Sequence, residues 1–322
     1  MRKPHLYLLA LLTLIGLGVL DSPPALAEEK KPAILLLQCA GPDWTLPTKL
    51  HEEHGFEFGH ASFKNLDWDT LRQFNAVIVF DLNRYDPNTR SISYKTISPK
   101  GFKRLTDLLE RFTREGGGLY IFGTSFTHMG QLEAHDTLNR FLKQLDASLL
   151  FRNLHDPERE SRQPGGRQVL YARAGDIVSH RATQGGDEWW YPAGRFVYGP
   201  FTKPLKLGDA WTPLIYTSNG YKLSAFEYAG RVEFTEGAET AYAAERAVIY
   251  AARRFDKGRV VLNGSESTIS FLNYGYSEYA DQQWQRIGME RGLNNIPSDG
   301  YQLLVSSLKW LCEPSLSSGK LG

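Results

Sequence analysis

Gly116-Gly117-Gly118-Leu119-Tyr120-Ile121-Phe122-Gly123-Thr124-Ser125-Phe126-Thr127-His128 is the stretch that decides the fold class. Its glycines stop a helix, Leu119 to Phe122 make an apolar run of strand length, and Gly123 opens a sharp strand-to-helix turn. Upstream, Ser98 can cap a helix that Pro99 opens, and Phe102, Leu105, Leu108, Leu109 and Phe112 recur along it at helical spacing. Downstream, a helix is expected over Thr137 to Leu145, with Leu138, Phe141, Leu142 and Leu145 on one face. A strand with no polar alternation, set between two amphipathic helices, belongs in a parallel sheet covered on both faces.

The pattern repeats along the chain. Ala33 to Gln38, Phe56 to His60, Ala76 to Phe80 and Gly258 to Gly264 are further strand candidates. Between them, helices are expected over Pro47 to His54 with a stop at Gly55, over Asp67 to Gln73, and over Ala241 to Phe255. A last helix over Ser298 to Leu311 opens with Ser298 and Asp299 as capping pair. This order predicts an α/β chain with a flavodoxin-like, doubly wound, mostly parallel sheet. From 151 to 239 glycine, proline, tryptophan and tyrosine rise and helical periodicity fades. That stretch is expected to be a β-rich insertion over the strand-end face, with short strands at Val169 to Ala172, Phe196 to Tyr198 and Leu214 to Thr217. Residues 28–322 are thus read as one domain.

Residues 1–27 carry the marks of an export signal: Arg2 and Lys3, an apolar run from Leu6 to Leu20, and the small-x-small step Ala25-Leu26-Ala27. The expected location is periplasmic or extracellular, with no stable membrane span after cleavage; an uncleaved anchor is the alternative. The formal charge of +1 gives no electrostatic case for nucleic acid. The two cysteines, Cys39 and Cys312, are too few for a disulfide scaffold or a thiolate zinc site, although an oxidising compartment would permit them to pair.

In open α/β sheets ligands gather beyond the carboxyl ends of the strands. Ser125 stands there, where a nucleophile elbow places its nucleophile. His128 lies three residues on, and Glu266 follows the last strand, so Ser125, His128 and Glu266 are the candidate catalytic group. The competing reading makes Ser125 the cap of the following helix and His128 a first-turn residue. Either way, backbone amides around Gly123 and Thr124 suit a small anion or a sugar oxygen. Trp189 and Trp190 follow Asp187 and Glu188, a combination that suits sugar stacking but also a local core or an interface. Tyr276 lies in an aromatic loop after the Glu266 strand and is a further ligand-binding candidate. His51 and His54 are three apart, short of the spacing a zinc helix needs, and no metal or cofactor is expected.

Three segments resemble the class I glutamine amidotransferase-like superfamily, and within it the ThuA-like proteins: Ala33 to Gln38 with its loop, Gly116 to Gly123, and Asp256 to Gly264. The likeness covers residues 31–150 and 240–312, and the span His180 to Pro192 resembles the inserted region of some exported bacterial ThuA-like proteins. In the amidotransferases the elbow reads Gly-x-Cys-x-Gly-His and a later strand leads into His-Pro-Glu. Here Gly123-Thr124-Ser125-Phe126-Thr127-His128 carries serine for cysteine, and Gly264-Ser265-Glu266 keeps the glutamate without the catalytic histidine. A serine hydroxyl needs an adjacent base, so the resemblance implies a protein without glutaminase activity. The expected function is binding of a small ligand such as a carbohydrate. The alternatives are a serine-dependent hydrolase using Ser125, or a structural or interaction module of a sugar-processing system.

Overall fold

A computed structural model of the chain describes residues 31–37, 44–79, 98–123, 131–150, 152–155, 159, 161–162, 168–192, 202–224, 227–228, 231–232, 245–265 and 286–319. The expected signal segment, Cys39, the expected strand at Phe196 to Tyr198 and the residues directly after Leu37, Val79, Gly123 and Ser265 lie outside those residues.

The elements begin β1 (Ala33–Leu37), α1 (Thr45–His54), β2 (Glu57–Ala61), α2 (Trp68–Leu71), β3 (Ala76–Val79), α3 (Pro99–Arg114), β4 (Gly118–Phe122), α4 (Gln131–Gln144) and β5 (Ala147–Leu149). Short strands follow: β6 (Asn153–His155), β7 (Ser161–Arg162), β8 (Gln168–Ala172), β9 (Trp189–Pro192), β10 (Leu205–Leu207), β11 (Thr212–Tyr216), β12 (Lys222–Ser224), β13 (Glu227–Tyr228) and β14 (Arg231–Val232). The chain closes with β15 (Val248–Phe255), β16 (Gly258–Asn263) and α5 (Gly300–Ser318). Among the described residues the central sheet has nine strands, in the order β2-β1-β3-β4-β16-β15-β10-β5 with β11 also on β15. β2, β1, β3, β4 and β16 are mutually parallel; the strands beyond β16 are antiparallel. The order 2-1-3-4 with helices on both faces is the doubly wound arrangement expected of an α/β chain.

Successive residues of the parallel strands serve different cores, because side chains alternate across a sheet. Ile34, Leu36, Ile78 and Tyr120 pack on one face with Leu46 and Leu50 of α1 and Leu304, Leu308 and Leu311 of α5. Leu35, Leu37, Val77, Leu119 and Ile121 pack on the other with Leu71 of α2, Leu105 and Leu109 of α3, and Phe141 of α4. Ser98 caps α3 by accepting the Gly101 N–H at 3.1 Å. Gly116, at φ 115°, takes the chain off α3 in a conformation that side chains resist.

Three expectations are corrected. Residues 248–255 form β15, not the end of a helix. Val248, Ile249 and Tyr250 favour a strand, and a two-residue connection, Asp256-Lys257, folds β15 directly onto β16 as a hairpin. Secondly, Ser298 and Asp299 do not cap α5 with their side chains. The Asp299 carboxylate accepts the N–H groups of Asp187 and Glu188, both at 2.9 Å. Ser298 Oγ donates to the Gly288 carbonyl at 2.7 Å and accepts the Trp190 N–H at 3.1 Å. Both residues therefore tie β9 to the start of α5. Thirdly, the stretch 151–239 is not peripheral to the sheet: its β10 and β11 extend the central sheet. Its Leu154, Ala172, Ala182, Trp189 and Leu214 share the α1/α5 core.

α5 crosses β4 so closely that a Cβ on Gly118 would stand 2.6 Å from Leu311 Cβ and 2.7 Å from its carbonyl oxygen. Gly118→Ala is expected to destabilise the protein by about 1–3 kcal/mol through overpacking, read as a lower denaturation midpoint at unchanged slope. An unchanged midpoint would show that α5 does not seat on β4 as described.

Candidate functional site

Four backbone segments meet where β4 and β16 end. Gly123 N–H donates to the Asn263 carbonyl at 2.7 Å, and Gly264 N–H donates to the Ile249 carbonyl of β15 at 2.8 Å. The Gly264 carbonyl accepts the Lys203 N–H at 2.9 Å, from the segment that enters β10. A Cβ on Gly123 would stand 2.8 Å from the Gly264 oxygen, and one on Gly264 would collide with the Lys203 carbonyl. Only glycine fits both positions, which accounts for the glycine exits of both strands.

This junction fixes where the candidate residues start. Phe122 and Asn263 are register partners. Ser125 follows the first by three residues and Glu266 follows the second by three. Thr124, Ser125, His128, Glu266 and Tyr276 themselves lie outside the described residues. The strands that lead to Ser125 and Glu266 are thus immediate neighbours running the same way, and parallel strands release their loops on one side of a sheet.

Sequence reading missed the polar groups behind the junction. Asn263 Oδ1 accepts the Ser265 N–H at 2.8 Å, and Asn263 Nδ2 donates to the Tyr120 hydroxyl at 3.2 Å. The Tyr120 and Tyr250 hydroxyls are 2.9 Å apart; the Tyr250 hydroxyl is 2.7 Å from Ser307 Oγ, and Ser307 donates to the Ala182 carbonyl at 2.8 Å. A carbonyl can only accept and an amide nitrogen can only donate. The chain therefore has one sense: Asn263 to Tyr120 to Tyr250 to Ser307 to Ala182. Burial, foremost, pushes both phenols up, Tyr250 to about 12, so neither ionises near neutrality. Lys203 and Thr202 are also buried at this end of β16. Thr202 Oγ1 has no hydrogen-bond partner among the described residues. Tyr120 and Tyr250 sit in apolar runs, so no local pattern marks their hydroxyls as paired.

Trp189 and Trp190 do not form an open stacking platform. Each is only 2 % exposed. The Trp189 ring packs 5.1 Å from Tyr191 and edge-on at 6.0 Å from Tyr250, inside the α1/α5 core. Trp190 packs with Ile287, and its Nε1 donates to the Ile296 carbonyl at 3.2 Å. Their faces are buried against protein because strand β9 is pinned by Ser298 and Asp299. His51 Nδ1 lies 2.9 Å from the Phe56 carbonyl, and His54 packs against Tyr301. Among the described residues no group of three His, Cys, Asp or Glu side chains is placed to hold a metal. Cys312 is buried in α5, and burial pushes its thiol up, away from reactivity.

No protein-family model matches the chain, and no curated protein matches it in sequence. Among solved structures it is similar to a putative ThuA-like protein from Bacteroides uniformis, with 14% identity, a TM-score of 0.45, and 90% of this chain and 95% of that one covered. It is similar to a putative GMP synthase protein from Thermoplasma acidophilum, with 7% identity, a TM-score of 0.42, and 91% and 100% covered. It is also similar to the mmIFT52 N-terminal domain, with 8% identity, a TM-score of 0.46, and 79% and 92% covered.

Because Trp189 is a core residue, Trp189→Ala is expected to lower stability by about 3–5 kcal/mol, measured by denaturant unfolding. A loss below about 1 kcal/mol would place the ring at the surface instead.

Proposed function

We propose that the chain is an exported ThuA-like protein that binds a small polar ligand, carbohydrates included, beyond the carboxyl ends of β4 and β16, and that it does not hydrolyse glutamine. The observation that carries this reading is the junction of Gly123 with Gly264. Two side-chain-free exits from neighbouring parallel strands open at one place, where open α/β sheets bind ligands. The N–H groups of Gly123, Gly264 and Ser265 are already bonded to Asn263 and Ile249, so any ligand-binding amides would come from the residues beyond them. Thr202 is buried at the same end of β16, and its Oγ1 has no hydrogen-bond partner among the described residues. With Trp189 and Trp190 packed in the core, a sugar would be held here by hydrogen bonds to backbone and side chains, not by stacking on that pair.

The chemistry argues against amide hydrolysis of the amidotransferase kind. Ser125 replaces the thiol, and Gly264-Ser265 stands before Glu266 where the amidotransferases carry His-Pro. A hydroxyl without a base stays protonated and is a poor nucleophile near neutral pH. A serine hydrolase is the second reading, because the pairing of Phe122 with Asn263 starts Ser125 and Glu266 from adjacent strands.

Purified protein is expected to release no ammonia from glutamine. Glutamine turnover abolished by Ser125→Ala would overturn the non-catalytic reading, and ester hydrolysis abolished by the same change would establish the second. A thermal-shift screen of monosaccharides and small carboxylates is expected to find a stabilising ligand whose effect is lost in Ser125→Trp, which would fill the strand-end space. A ligand effect unchanged in that variant would move the site elsewhere. N-terminal sequencing of protein recovered outside the cytoplasm is expected to begin at Glu28; a mature chain retaining Leu6 to Leu20 would contradict export by cleavage.

A further inference from the structure

The second of two 3₁₀ turns between β8 and β9, Arg181–Thr183, seats on α5. His180 caps it: Nδ1 accepts the Ala182 N–H at 3.1 Å, and the imidazole packs edge-on against Trp310 of α5, ring centres 5.1 Å apart. Ser306 Oγ donates to the Gln184 carbonyl at 2.6 Å, and Ser307 Oγ donates to the Ala182 carbonyl at 2.8 Å. Ala182 is thus held from both sides, by the imidazole at its N–H and by α5 at its carbonyl. From that carbonyl the one-way chain of hydrogen bonds runs back through Ser307, Tyr250, Tyr120 and Asn263 to the Ser265 N–H, at the exit of β16.

We propose that His180 makes this turn an acid-released latch, and that its release is transmitted through the buried hydroxyls to the exit of β16, so that pH regulates the strand-end site. That the exit binds a ligand rests on the function proposed above; the latch and its transmission do not.

The chemistry follows from one nitrogen. To accept the Ala182 N–H, Nδ1 must be unprotonated, which places the ring proton on Nε2. Protonation turns Nδ1 into a donor facing another donor. It also adds a cation among Arg181 of the turn, Arg254 of β15 and Arg259 of β16. The acid on the facing helix, Glu313, is already paired with Arg181 and Arg259. Partial burial first, then Arg259, Arg254 and Arg181, hold His180 below its ordinary value of 6.5. A depressed histidine favours the neutral folded form. The latch is therefore fully engaged above 6.5 and is lost as pH falls through the lowered value. At the far end, every hydroxyl in the chain accepts from one neighbour and donates to the next, so the bonds polarise one another and loosening one end weakens the other.

Amide hydrogen exchange on the full chain at about pH 7.5 and about pH 5, expressed as protection factors corrected for intrinsic exchange, tests both parts. In the native chain the protection of Ala182 is expected to fall about fivefold or more at the lower pH, the scale of losing a cap, with Ser265 falling alongside. His180→Asn keeps a carbonyl acceptor that does not titrate and is expected to make both amides insensitive to pH. His180→Ala is expected to leave Ala182 poorly protected at both values. Tyr250→Phe cuts the chain in its middle, so Ala182 should still respond to acid while Ser265 no longer does. A native chain without the acid response at Ala182, or a His180→Asn variant that keeps it, overturns the latch. A Ser265 response that is absent from the native chain, or that survives Tyr250→Phe unchanged, overturns the transmission.

Discussion

The parallel pairing of β4 with β16 is the constraint on which the rest of the structure depends. It places a late segment of the chain in the middle of a sheet whose other parallel strands all come from the first 122 residues. Close approach without side chains makes it work at both ends. Gly118 lies under Leu311 of α5, and a Cβ on Gly258 would strike the Thr113 and Gly117 carbonyls. At the other end Gly123 and Gly264 admit each other and the backbone at Lys203. Because β16 also begins the antiparallel half of the sheet, the same pairing joins the parallel core to β15, β10, β11 and β5.

Behind that pairing runs the buried polar chain from Asn263 to Ala182. A satisfied hydrogen bond adds only about 0.5–1.5 kcal/mol to stability, whereas a buried hydroxyl stripped of its partner costs about 1–3 kcal/mol. Such a chain is thus better at enforcing one arrangement than at holding the fold together. It ties β16, β4, β15, α5 and the 181–183 turn into one register, and it brings a titratable group into communication with the strand exit. The Asp299 carboxylate works in the same way at the other end of that stretch, fastening the backbone of Asp187 and Glu188 to the start of α5.

What the amino-acid sequence made legible was what short-range pattern determines. Apolar runs marked β1, β3, β4 and β16, and the cap at Ser98 with the stripe from Phe102 to Phe112 marked α3. What escaped it depends on distant partners. Residues 248–255 combine an apolar run with charges at Arg253 and Arg254, a composition that suits a helix end equally well; the hairpin to β16 decided for a strand. Trp189 and Trp190 look like a sugar platform until the α1/α5 core buries the first and Ile287 and Ile296 bury the second. Ser298 and Asp299 have the identities of helix caps, but their acceptors are used by amides more than a hundred residues away. Of the candidate site, Gly123 was legible because a tight exit needs glycine. The partnership of Gly123 with Gly264, and the roles of Asn263 and Tyr250, required the strand order.

The central claim is that β4 and β16 deliver Ser125 and Glu266 to one place. The most direct measurement is chemical cross-linking of a Ser125→Cys/Glu266→Cys variant in a Cys39→Ser background, with a short bis-maleimide and the linked peptides read by mass spectrometry. Neighbouring strands lie about 4.8 Å apart, so two positions that each follow a register pair by three residues are expected within reach of such a reagent. The expected result is an intramolecular link between the peptides carrying positions 125 and 266. Modification of both thiols one by one, with no link between them, would contradict it.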